Sequence, residues 1–203
     1  ARKITDYQFL DVLDLARHLK LRTAETDRDI NDFGDDLVSA HAYVPADSIV
    51  DALAQGASVV VTGRVGDASL FLAPLMHEFG WADDDWDRRA SGIVVGHLLE
   101  CAAQVTGGFF ADPPYKIVPD LHRIGFPIAE VSETGEAIIT KVEGSGGLVS
   151  EATVKEQLLY EVEDPFNYVE ADVISDFGGI EVRQVGADRV RVRGVRGKPE
   201  PEK

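Results

Sequence analysis

From about Asp84 to Val105 the chain carries one unbroken apolar stripe. Trp86, Ala90, Ile93, Val94, Leu98, Cys101 and Val105 fall at i, i+4, i+7, i+8, i+12, i+15 and i+19, a spacing that a helical period gathers on one side. So apolar a side must be covered, and the spacing predicts a core helix on which other elements pack. Asp83, Asp84 and Asp85 suit its first turn, where negative charge meets the positive end of the helix dipole. Thr106-Gly107-Gly108 ends it.

On the edge of that stripe His97, Glu100, Cys101 and Gln104 sit at i, i+3, i+4 and i+7, so their side chains point into one space. A His and a Cys one turn apart can form a nucleophile pair, and a His with a Glu can move protons. His97, Glu100 and Cys101 are therefore the candidate catalytic residues. The same residues equally describe a hydrogen-bonded core histidine beside a buried structural thiol. No metal-ligand spacing is present, and Asp27, Asp29, Asp32, Asp35 and Asp36 do not match a calcium loop. No metal or other cofactor is evident.

Upstream, Ser48–Gln55 reads as a helix capped by Asp47 or Ser48, with Gly56 after it. Ser58–Thr62 (SVVVT) reads as a short buried strand, and Ser69 onward as a second helix. Helix, glycine, strand, glycine loop and helix in succession predict an α/β fold with a mostly parallel sheet flanked by helices. The loop between strand and helix holds Gly63, Arg64, Gly66 and Asp67, then Ser69. Its glycines let backbone approach a ligand, the helix start offers free N–H groups, and Arg64 adds a positive charge. The alternative is a tight turn in which Arg64 pairs with Asp67.

Two further glycine-rich stretches abut helices. Gln104, Thr106, Gly107 and Gly108 follow the core helix, and Ser145, Gly146 and Gly147 precede a helix expected over about Glu151–Tyr160. With the Gly63–Ser69 loop they are the candidate substrate-binding residues, enclosing one recess for an anionic small molecule. The last stretch reads equally as a flexible joint.

Elsewhere, Asp6–Leu21 has helical spacing, and Arg22–Ala42 reads as an acidic loop with a short helical turn. Phe109–Pro127 reads as a proline- and aromatic-rich excursion, in which Lys116 and Arg123 are either anion holders or ordinary surface charge. Ile128–Val131 with Ala137–Val142, and Ile180–Val185 with Arg189–Val195, are antiparallel hairpins, the second with one apolar and one basic face.

A chain of 203 residues with 44% hydrophobic and 28% charged residues can bury one sizeable core. A formal charge of −16 repels nucleic acid and anionic membranes. One cysteine allows no internal disulfide. Without a membrane span or signal peptide, a cytoplasmic setting is expected. Homo-oligomerisation is left open.

The blocks VVVTGRVGDASLFLAPLMHEFGW, GHLLECAAQVTGG, IGFPIAEV, GSGGLVSEATVKEQLLYEVEDP and RVRVRGVRG, in that order, resemble the acyclic terpene utilisation (AtuA-like) family over roughly Tyr43–Gly197. The resemblance implies a place in bacterial catabolism of branched acyclic isoprenoids such as citronellol and geraniol, which runs through coenzyme A thioesters. It also implies a protein longer at both ends. Residues 1–197 are then a portion of a single α/β domain truncated at both ends, and 198–203 a tail. The expected function is a lyase, hydratase or isomerase taking a small-molecule acid or CoA thioester. The alternatives are a non-catalytic subunit or scaffold of the same pathway, and an acid-binding module.

Overall fold

A computed structural model describes residues 14, 16–22, 26–36 and 43–199. It divides into two units, Ala1–Val44 with Val61–Val65, and Pro45–Val60 with Gly66–Lys203. In the first unit Arg22 and Asp29 form an antiparallel bridge, a 3-10 turn follows over Ile30–Asp36, and Val44 bridges Val65 in parallel. Of the helix expected over Asp6–Leu21, only the end lies within the described residues, where Ala16, Arg17 and His18 are helical.

The second unit carries four helices, α1 (Asp47–Ala54), α2 (Ser69–Phe79), α3 (Trp86–Leu99) and α4 (Glu151–Leu159). As the apolar stripe requires, α3 is the core helix: every residue from Gly92 to Leu98 is buried. Asp85 caps its start by accepting from the Arg88 amide. It packs against α2, α4 and strands of both sheets. It ends at Leu99, short of the expected Val105, because Ala102 adopts a left-handed φ of 50° that the helical ladder does not allow. A 3-10 turn over Ala102–Gln104 then carries Val105 back into the core.

The strands are β1 (Pro127–Val131), β2 (Ala137–Lys141), β3 (Tyr168–Val169), β4 (Ile174–Asp176), β5 (Glu181–Gly186), β6 (Arg189–Arg193) and β7 (Arg196–Lys198). They form a four-stranded sheet of order β1-β2-β6-β5 and a three-stranded sheet of order β3-β4-β7. Every pairing is antiparallel. Both expected hairpins form, and the alternation in β6 buries Val190 and Val192 while Arg189 and Arg193 pair with Glu130 and Glu181 across the sheet.

The mostly parallel sheet expected from the helix–strand alternation is therefore not found. Ser58–Thr62 takes no strand conformation, and Val59 and Val61 are 81% and 91% exposed. A β-branched run favours a pleated surface only where a neighbouring strand offers one, and among the described residues none does.

The contact between α2 and α3 depends on small residues. A methyl group on Gly96 would stand 2.5 Å from the Ala68 carbonyl oxygen and 2.7 Å from its Cα, backbone atoms that cannot turn aside. Gly96→Ala is expected to destabilise the chain by about 1–3 kcal/mol through overpacking. Gly63→Ala, with nothing within 4 Å of the added methyl, is expected to stay within roughly 0.5 kcal/mol. Urea unfolding of both variants checks the contrast.

Candidate functional site

The polar centre of the second unit is Asp172, on the β3–β4 connection and fully buried. Its carboxylate accepts from the Ala46 amide at 2.8 Å and the Ser69 hydroxyl at 2.5 Å, and lies 3.4 Å from the Arg89 guanidinium. Ala46 is the N-cap of α1 and Ser69 the first residue of α2. Neither helix has a side-chain cap of its own, so one carboxylate sits where two helix starts present positive dipole ends. Arg89, itself buried, also donates to the Asp83 carbonyl at 3.0 Å and reaches Asp47 at 3.7 Å.

Beside this centre lies a second group of titratable side chains. The Glu170 carboxyl is close to the Gly66 turn, 3.3 Å from where a methyl on Gly66 would stand. Burial raises the Glu170 pKa; the Tyr168 hydroxyl opposes this, and the charges of Asp172 and Asp67 add to it. Burial also raises that of Tyr168. The Tyr168 ring lies 5.5 Å from the His97 imidazole.

His97 is 3% exposed, and burial pushes its pKa below the ordinary 6.5 against a Gln157 backbone hydrogen bond and the charge of Glu100. Burial thus favours its neutral form. Among the described residues its Nε2 has no hydrogen-bond partner, and neither has the buried Nε2 of Gln104. Gln157 holds the end of α3 in place by donating to the His97 carbonyl at 3.0 Å. Cys101 donates its S–H to Glu100 at 2.8 Å. Burial first, then Glu100, raises the thiol to about 11, so at neutral pH it is a protonated donor and not a thiolate.

The other expected residues fall into separate groups. Gly66, Asp67 and Ser69 are in the second unit at the start of α2. Gly63 and Arg64 belong to the first unit, where Arg64 donates to the Tyr43 hydroxyl at 2.8 Å and lies 4.7 Å from the ring centre. The two later glycine stretches meet each other. Thr106 donates to the Gly125 carbonyl at 2.6 Å, and Leu148 donates back to the Thr106 carbonyl at 2.8 Å.

The amides of Gly107, Gly108, Gly146 and Gly147 all donate to backbone carbonyls. Ser145 donates to the Val142 carbonyl, and the start of α4 is closed by a Ser150–Thr153 capping box. Glycine is needed there because backbone is close: a methyl on Gly147, at φ 96°, would meet the Thr106 carbonyl oxygen at 2.7 Å. Lys116 pairs with Glu156 at 3.4 Å and Arg123 with Asp120 at 3.7 Å. An open recess of about 440 Å³ lies beside Ala82, Asp84, Asp85, Trp86, Asp87 and Gly197, away from the candidate residues.

With this geometry described, comparison with known proteins adds one finding. The model of the acyclic terpene utilisation family protein AtuA matches residues 5–203. The chain belongs to the acyclic terpene utilisation family. No curated protein and no solved structure matches it. Among the described residues of this family member, no His, Cys, Asp and Glu gather as a metal site, and no helix is long and apolar enough to cross a membrane.

Sequence reasoning singled out His97, Glu100, Cys101 and Gln104 through helical spacing, but missed Arg89, Tyr168, Glu170 and Asp172. Arg89 carried a signal, as a cation one residue before the stripe position Ala90 on a helix otherwise predicted to be buried. Tyr168 and Glu170 lie in an aperiodic segment and had none. If the thiol is held as described, the iodoacetamide alkylation rate of Cys101 should keep climbing to pH about 11, where an unperturbed thiol levels off near 9.0. Glu100→Gln should bring the midpoint down. A midpoint at or below 9.0 in the unaltered chain would contradict this geometry.

Proposed function

We infer that this family member is a catabolic enzyme acting on CoA thioesters or related acids of branched isoprenoid breakdown, of the lyase, hydratase or isomerase type. One observation carries the reading: two buried groups without a hydrogen-bond partner among the described residues, His97 Nε2 on α3 and Gln104 Nε2 on the 3-10 turn that follows it. An unpaired buried polar atom costs about 1–3 kcal/mol, a cost that a substrate engaging both would relieve. The neutral imidazole accepts a proton from the carbon next to the thioester carbonyl. The Gln104 N–H donates to the carbonyl oxygen as negative charge develops there. Substrate reaches His97 through movement of the side chains over it, of which Tyr168 is one.

A second reading, a non-catalytic subunit or scaffold of the pathway, draws on the exposure of Tyr115, Ile117 and Phe126 along the excursion, at 87%, 70% and 63%. One screen separates the two. Branched CoA thioesters and hydroxy acids are offered to the chain and to its His97→Gln and Gln104→Leu variants, with circular dichroism as folding control. The enzyme reading predicts turnover that falls by roughly 10²–10⁴-fold in folded His97→Gln and by a comparable factor in Gln104→Leu. Turnover unchanged in both variants would remove the assigned roles, and no turnover with any compound would favour the subunit.

A further inference from the structure

The closing hairpin carries a row of arginines that the chemistry around α3 does not use. Along β6 the buried Val190 and Val192 alternate with Arg189, Arg191 and Arg193, which therefore stand on the outer face of the four-stranded sheet. The first and last of them are neutralised. Arg189 grips Glu130 with two guanidinium nitrogens, and Arg193 holds Glu181 at 2.8 Å and Glu136 at 3.6 Å. Arg191, between them, stands directly opposite Arg183 of β5 in the antiparallel register. Neither Arg183 nor Arg191 forms an ion pair or a side-chain hydrogen bond among the described residues. Glu151, on which the Arg183 charge also acts, is already engaged by Lys155 at 3.1 Å and by the Gln184 amide at 2.9 Å.

Like charges directly opposite on a sheet repel, with their Cβ atoms only about 4.5–5.5 Å apart. A chain with 36 acidic residues against 20 Lys and Arg has carboxylates in plenty, yet it leaves these two cations facing each other. An anion placed over them relieves the repulsion and engages both guanidinium forks at once. On its other side Arg191 is opposite Ile138 of β2, so the same row passes from charged to apolar.

We propose that this face docks a short acidic segment of a partner protein, with one carboxylate seated across Arg183 and Arg191 and an apolar side chain beside it over Ile138. Charge complementarity names the partner, and the range of the field limits its size. With a formal charge of −16, the chain repels a nucleic acid duplex, an anionic membrane or a second copy of itself, each of which sets many like charges against the whole molecule. A short segment meets chiefly the charges within a Debye length of about 8 Å. Within that range, Arg183, Arg189, Arg191 and Arg193 outnumber Glu130, Glu136 and Glu181, the carboxylates paired to them on this face. A pleated sheet face also offers contact area for a chain segment, where small molecules are held in enclosing clefts. The inference is independent of His97 and of the enzyme reading.

The test is the fluorescence anisotropy of two labelled peptides titrated with the full chain, one alternating Glu with Val and the other Gln with Val. The Glu peptide should bind and the Gln peptide should not, and raising the salt from about 0.05 M to about 0.5 M should weaken binding. Arg183→Gln and Arg191→Gln should each weaken it by roughly fivefold. Arg196→Gln on β7, the same change of charge in the other sheet, should leave it as it was. Urea unfolding separates a merely structural role: removing one of two facing like charges should leave the midpoint unchanged or raise it. Equal binding of the two peptides, equal loss in Arg196→Gln, or a lowered midpoint in both Arg183→Gln and Arg191→Gln would overturn the proposal. So would binding of an anionic vesicle or an oligonucleotide in place of the Glu peptide, or self-association in sedimentation that Arg183→Gln abolishes, since each names another occupant.

Discussion

A carboxylate with no access to water decides how the second unit is put together. An unpaired charge at such a site costs several kcal/mol, so Asp172 is tolerable only while its partners are in place. Those partners come from three distant parts of the chain: the amide that opens α1, the hydroxyl that opens α2, and Arg89 on α3. Each helix start also brings a positive dipole end to the same point. The β3–β4 connection is thereby fastened at one residue, and Glu170 and Tyr168, just upstream of it, have their positions set by that anchor.

Burial shifts two titratable groups of the second unit in opposite directions, Glu170 up and His97 down. Burial disfavours the charged form of either group, so it raises a carboxyl and lowers an imidazole. With 36 acidic residues against 20 Lys and Arg, the surrounding potential further favours protonated carboxyls, while burial outweighs it at His97. Arg89, the buried cation beside this site, is already bound to Asp172.

What could be read from the chain beforehand follows from the range over which each signal acts. Helical spacing located α3, with His97 on it, and alternation located both hairpins, because these patterns are written within a dozen residues. Ser58–Thr62 misled because its β-branched run states a preference for a sheet without showing that a partner strand exists. The glycines of the Gly107 and Gly146 stretches misled in another way. Backbone passing close to backbone demands the same residue as backbone passing close to a ligand, and here Gly146 packs on the Asp120 carbonyl. Asp172 was invisible, one acid among many, since its partners lie 83 to 126 positions away.

The dependence of this arrangement on one carboxylate is open to a direct measurement: a double-mutant cycle of Ser69→Ala and Asp172→Asn, read by urea unfolding. If the Asp172 carboxylate joins the start of α2 to the β3–β4 connection, the two changes should couple by about 0.5–3 kcal/mol, because each removes the partner of the other. Effects that add to within about 0.3–0.5 kcal/mol would mean that the two residues act independently, and would contradict the account.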